Sequence, residues 1–157
     1  MIQRIQSIYL LVASLLGLSL IFVEFANFTA DANTFTLNFL GISITSEGTN
    51  FSPVSSMVIT AFSVLSFLLP LIAIFLYKNR PNQLKFTYIA IALCGGVFAT
   101  ALFYILGIGN FLPPSETIST NYGLGLIFTL IEIVFLFLAS MGIRKDENLI
   151  KSLNRLR

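Results

Sequence analysis

The chain has no histidine, no tryptophan, one cysteine and little charge: only 10% of its 157 residues are Asp, Glu, Lys or Arg. Each shortage closes off a chemistry. Without histidine there is no imidazole base, no haem ligation through imidazole and none of the usual His-containing zinc sites. A single cysteine, Cys94, cannot make an internal disulfide, so the redox compartment is not legible from it. There is no paired nucleophile and base, no Gly-rich phosphate loop and no pair of intramembrane aspartates. These gaps argue against an enzyme, and no cofactor or metal is expected. A soluble domain carries about 25% charged residues. Here 56% of residues are apolar and the mean hydropathy is +0.90, the composition of a membrane protein. The net charge of +2 is too small to argue for nucleic acid.

What charge there is falls in a pattern. The nine basic residues occupy three segments: Arg4; then Lys78, Arg80 and Lys85; then Arg144, Lys145, Lys151, Arg155 and Arg157. The two remaining gaps between apolar runs hold Asp31, Glu47 and Glu116 but no basic residue. Cytoplasmic flanks of membrane proteins collect Lys and Arg. The expected fold is therefore an all-α membrane protein, an antiparallel bundle of four transmembrane helices with both termini in the cytoplasm.

The apolar runs place the spans at about 5–25, 53–77, 86–108 and 122–143 of a single transmembrane domain. The first is read as a retained span rather than a cleaved leader. It is long, and Glu24 with a polar stretch separates it from Ala30-Asp31-Ala32, which resembles a cleavage site. Pro53 suits a first helical position, and Pro70 is expected to kink the second span. Pro81-Asn82 is expected to break the chain within a short turn from Lys78 to Lys85. In the first outer segment, Phe35, Leu37 and Phe39 alternate with Thr36 and Asn38. After Gly41, Ile42 and Ile44 alternate with Ser43 and Thr45. Period-two alternation on both sides of a glycine reads as a small β-hairpin over 33–46, its apolar face laid on the helix ends or on a partner protein. Asn27-Phe28-Thr29 and Asn50-Phe51-Ser52 match the glycosylation pattern, which is common by chance and here hugs the membrane.

Glu132 is the most informative single residue. Eight residues from Leu124, it lies roughly 12 Å into the hydrocarbon, where a carboxyl must face protein or a water-filled cavity. Gly125, Thr129 and Ala139 share its helix face, while Ile127, Ile131, Val134 and Leu138 lie opposite, toward lipid. Counting along each run puts Ser14, Ser63, Gly96 and Glu132 at similar depth. A buried polar seam of Glu132, Ser63, Ser14, Thr100 and Glu24 follows, with a serine hydroxyl expected to bond Glu132. Small residues let helices approach closely, so Gly95, Gly96, Ala92 and Ala99 are expected to pack the third span. A lone carboxyl can fix helix register, or it can be the titrating group of a proton- or cation-linked site.

Residues 144–157 read as an amphipathic basic helix continuing past the fourth span, an inner tail whose Arg144, Lys145, Lys151 and Arg155 meet anionic headgroups.

The two ends of the chain, Met1-Ile2-Gln3-Arg4-Ile5-Gln6 and Arg144-Lys145-Asp146-Glu147 through Arg155-Leu156-Arg157, resemble a family of small four-helix membrane proteins of unknown function from Bacteroidota bacteria. Its members usually carry an Asp-Arg pair near the end, where this chain has Asn154-Arg155. The resemblance implies a bacterial inner membrane with the hairpin in the periplasm, and no activity. Claudin-like proteins fit less well, since their first outer loop needs tryptophan and a cysteine pair. The expected role is a non-enzymatic accessory, assembly or scaffold subunit of a membrane complex, with the bilayer and other membrane proteins as partners. The alternative is a small proton- or cation-coupled conduit using Glu132.

Overall fold

A computed structural model describes residues 2–30, 33–44, 57–77, 79–107 and 118–155. In chain order these form α1 (Ile2–Ser19), β1 (Ala26–Ala30), β2 (Asn33–Asn38), β3 (Gly41–Ile44), α2 (Met57–Phe75), α3 (Arg80–Gly107), β4 (Ile118–Tyr122) and α4 (Leu124–Arg155). The chain is mostly helical with one small antiparallel sheet. Three helices are long and apolar enough to cross a membrane: Met57–Phe75, Arg80–Gly107 and Leu124–Ile150 within α4. α1 contributes a shorter apolar stretch, Ile5–Ser19.

The helices pack in cyclic order, α1 on α2, α2 on α3, α3 on α4 and α4 on α1. Their buried positions follow the helical period. On α3 they are Gln83, Thr87, Ala90, Cys94, Val97, Ala101 and Ile105; on α2 they are Ile59, Ser63, Ser66, Pro70 and Ala73. On α4, Ile127, Ile131, Val134 and Leu138 are exposed, as a lipid-facing side requires.

The sheet is larger than a hairpin. Its order is β3-β2-β1-β4, all neighbours antiparallel. β2 and β3 are the alternating strands, joined by a tight turn in which Gly41 takes φ 118°, a left-handed value that favours glycine. β1 adds a third strand, with Ala26 opposite Leu37 and Phe28 opposite Phe35. β4 comes from the segment after α3 and pairs along the other edge of β1, Phe28 opposite Thr120. The expectation of a lone two-stranded hairpin is thus corrected. Two strands are marginal in water, and a sheet of four with an apolar face is stable.

That face lies on the ends of the helices. Phe25, Ala26, Phe28, Phe35, Leu37 and Ile42 form one cluster with Leu20, Ile59, Val97, Ala101, Ile105 and Leu126. On the opposite face Thr36 and Ser43, a cross-strand pair, share a 2.6 Å hydroxyl bond. A second apolar cluster occupies the other end of the helices: Leu10, Ala13, Ala73, Ala90, Cys94, Leu136, Ala139 and Ile143. We refer to these as the sheet end and the tail end.

Three boundaries differ from the sequence reading. α1 stops at Ser19 instead of reaching residue 25. Leu20, Ile21 and Phe22 donate three residues back in tightening turns, and Phe25 N then bonds Leu37 O at 2.8 Å, so the sheet captures the backbone. α3 begins at Arg80, before the expected Pro81-Asn82 break. Pro81 sits in its first turn, where the missing N–H has no helical acceptor to lose. Tyr122 belongs to β4, and α4 opens at Leu124. The basic tail continues the fourth helix as expected, and α4 runs unbroken for 32 residues, about 48 Å. Pro53, Thr45 and the second glycosylation pattern lie outside the described residues.

Candidate functional site

Between the two apolar clusters lies a polar layer. Along α4 it holds Thr129 and Glu132, between Leu126 and Leu136. Along α2 it holds Ser63 and Ser66, between Ile59 and Ala73; along α1 it holds Ser14 and Gly17, between Ala13 and Leu20. α3 contributes Cys94 and Val97, the one helix with no hydroxyl at this level of its buried stripe.

Glu132 is the centre of this layer and is 0% exposed. All four helices meet its carboxyl or the residues beside it. A Cβ placed on Gly17 of α1 would lie 2.8 Å from Glu132 Oε1 and 2.9 Å from Phe67 Cβ of α2. Ser66 of α2 and Cys94 of α3 are the side chains that interact with the carboxyl electrostatically. Yet Ser66 Oγ donates to Ser63 O at 2.9 Å, and among the described residues neither carboxyl oxygen has a partner at hydrogen-bond geometry. Ser63 Oγ is likewise buried and unpartnered. Leaving such a group unpaired costs about 1–3 kcal/mol, so the layer carries polar capacity that the described protein atoms do not use.

The seam read from the sequence is brought together only in part. Glu132 and Ser63 share the buried layer, as does Ser14, but Ser14 Oγ bonds its own helix at Leu11 O, 2.9 Å away. Thr100 is half-buried and bonds Gly96 O and Val97 O of α3. Thr129 bonds Gly125 O. Among the described residues Ser66 is the serine whose side chain interacts with Glu132, although its hydroxyl, like those of Ser14 and Thr129, donates to a carbonyl of its own helix, and Ser63 Oγ does not. Glu24 is exposed at the sheet end and lies outside the layer. Its backbone does the structural work there: Glu24 O accepts from Gly125 N at 3.0 Å, and Phe25 O from Gly123 N at 2.9 Å.

The small residues of α3 divide. Gly96 packs, with Phe62 of α2 placed 2.9 Å from where its Cβ would be. Gly95 has nothing within 4 Å of that point, and Ala92 and Ala99 are exposed. The expectation that all four pack helices is corrected: the buried stripe is set by Ala90, Cys94, Val97 and Ala101, and Ala92 and Ala99 point away from it.

A second buried polar contact, missed from the sequence, lies at the tail end. Gln6 Nε2 of α1 donates to Asp146 Oδ2 of α4 at 2.8 Å, both residues buried. The signal available was an adjacent acidic pair, Asp146-Glu147, inside a basic stretch, and a glutamine among apolar residues near the start. Arg144 and Lys145 are exposed and line a shallow groove with Met141, Asn148 and Leu149. The side chains of Lys151 and Arg155 lie outside the described residues. Among the described residues no group of His, Cys, Asp and Glu could hold a metal ion.

A helical pack with membrane-crossing lengths, a sheet over one end and a closed carboxyl at mid-depth defines a small membrane protein. The profile of a domain of unknown function, DUF4293, matches residues 2–156, and the chain belongs to that family. No curated protein matches it.

Proposed function

We propose that this protein is a non-enzymatic scaffold or assembly subunit of a membrane complex, threaded through a bacterial inner membrane as a four-span antiparallel bundle with both termini in the cytoplasm. One observation carries this reading. The sheet and the basic tail are attached to the two ends of a single rod, because β4 and α4 are separated by Gly123 alone. That junction is locked by the bonds from Gly123 N to Phe25 O and from Gly125 N to Glu24 O. At about 48 Å, α4 exceeds a hydrocarbon core of roughly 30 Å, so its end stands clear of the bilayer. A rigid platform on each side of the membrane, coupled through one helix, suits a part that holds other subunits in register. The positive segments, Arg144 and Lys145 above all, favour the cytoplasmic placement and contact with anionic headgroups.

Purification in gentle detergent with cross-linking in the native membrane tests the reading. A reproducible membrane-protein partner cross-linked through sheet or tail is expected. A monomer with no partner in either experiment rejects it. The ion-linked reading is favoured by one observation only, the unpartnered oxygens of Glu132. If Glu132→Gln leaves both protein level and cellular phenotype intact, that second reading is finished.

A further inference from the structure

The groove at the tail end has a volume of about 500 Å³ and runs along one face of α4, lined by Met141, Arg144, Lys145, Asn148 and Leu149. All five side chains are exposed, and they recur at three- and four-residue spacing, so they form one stripe on a single helix. Its charge is of one sign. Asp146 follows the two cations directly, yet its side chain is buried and accepts the 2.8 Å bond from Gln6 Nε2. The acid next to the cations is thus turned into the helix pack, and no acidic side chain is among the described residues of the lining.

The level of the groove follows from the helix. Arg144 lies 20 residues beyond Leu124, the first residue of α4, or about 30 Å along the axis, which is the thickness of a hydrocarbon core. Met141 lies about 4–5 Å short of that boundary. Asn148 and Leu149 lie about 6–8 Å past it, across a headgroup layer roughly 5–8 Å deep. Exposed tyrosines mark the same two boundaries independently: Tyr122 at the sheet end, Tyr77 and Tyr88 at the tail end.

An apolar side chain on the core side, two cations at the boundary and an amide beyond them repeat the order of a phospholipid: acyl chain, phosphate, polar head. Guanidinium and ammonium groups make charge-assisted bonds to phosphate oxygens, and the Asn148 amide can donate to a headgroup. A cytoplasmic protein would have to displace lipid to reach the same cations.

We propose that this groove is a binding site for one anionic phospholipid of the tail-side leaflet. Arg144 and Lys145 hold its phosphate, Asn148 meets its headgroup, and an acyl chain begins along Met141. This turns the general headgroup contact proposed above into a defined site and rests on it.

The test uses the full chain in nanodiscs of equal parts phosphatidylglycerol and phosphatidylcholine, with native mass spectrometry counting the lipids that each released chain retains. One phosphatidylglycerol per chain is expected. Arg144→Gln with Lys145→Gln is expected to lower its retention at least tenfold, at roughly five-fold for each charge removed. Asn148→Asp, which adds a carboxylate to the groove without removing a cation, is expected to lower it as well. Arg80→Gln with Lys85→Gln removes the same charge from α3 at the same end, outside the groove, and is expected to leave retention unchanged. All the altered groove side chains are exposed, so unchanged thermal unfolding is expected throughout. Equal losses from the two double variants overturn the groove and leave diffuse headgroup attraction standing. Equal retention of both lipids by the wild type overturns the groove and the headgroup contact together. A cytoplasmic protein cross-linked through Lys145 in the native membrane, with no lipid retained, overturns the lipid in favour of a protein partner.

Discussion

The Glu132 carboxyl of α4 rests directly on Gly17 of α1, close enough that a methyl group there would stand 2.8 Å from Oε1. The same methyl would meet Phe67 at its Cα, 3.0 Å away, and backbone yields less readily than a side-chain tip. Gly17 is thus the point at which α1, α2 and α4 come together.

Gly17→Ala should therefore destabilise the protein by about 1–3 kcal/mol, the usual cost of forcing atoms into a packed core. Gly95→Ala is the matched control. Its added methyl meets nothing within 4 Å, and alanine favours a helix by up to ~1 kcal/mol over glycine. Thermal unfolding in detergent should show a lowered midpoint for the first and an unchanged or raised one for the second.

Cys94 offers a built-in reporter for those measurements. It is the single thiol of the chain and is buried beside the carboxyl layer. A maleimide fluorophore should leave the folded protein unlabelled and react as the helices part, so its signal should track unfolding. Stoichiometric labelling of the native protein would show that the layer is open.

At the sheet end, Gly123→Ala should be more damaging than either. Its Cβ would collide with the backbone carbonyl oxygen of Glu24, and it would stand 2.9 Å from the carbon of that carbonyl and 3.1 Å from that of Phe25. These are the atoms that lock β4 to α4. Loss of the β1–β4 pairing, read as faster amide exchange over Ala26–Ala30 and Ile118–Tyr122, is expected together with reduced membrane accumulation.

At the tail end, Gln6→Ala strands a buried Asp146 oxygen. The expected cost is about 1–3 kcal/mol, since a buried acceptor is left without its donor. A double-mutant cycle with Asp146→Ala should give a coupling of about 1 kcal/mol or more, measured by thermal or denaturant unfolding. Independent additivity would mean that the 2.8 Å contact contributes nothing.

The sequence was most legible where one strong physical rule acted alone. Apolar length located three membrane-crossing helices, and the isolation of Glu132 among apolar residues marked the carboxyl layer. Period-two alternation marked β2 and β3. Rules failed where two competed. Ala26-Asn27-Phe28-Thr29-Ala30 also alternates, but it falls in the polar stretch after the first span, where a glycosylation pattern and a cleavage-like site drew the reading instead. Ile118–Tyr122 offers no alternation strong enough to see, and it becomes a strand because β1 presents an edge to it. The bond between Gln6 and Asp146 depends on residues 140 positions apart, which no local pattern encodes. Ser14 is placed near Glu132 by depth, and Thr129 by its helix face. Depth says nothing about whether a hydroxyl prefers its own backbone.

The position of β4 at the edge of β1 has a consequence for how the protein is made. β1, β2 and β3 leave the ribosome together and can zip up at once, but their remaining edge waits for a strand that emerges only after α2 and α3. The final pairing cannot form until α2 and α3 have been made and β4 is brought back to β1. Without β4 the sheet is left with a bare row of N–H and C=O groups on β1. Completion of the sheet thus waits on the synthesis of α2 and α3, and until β4 arrives one edge of β1 stays unpaired.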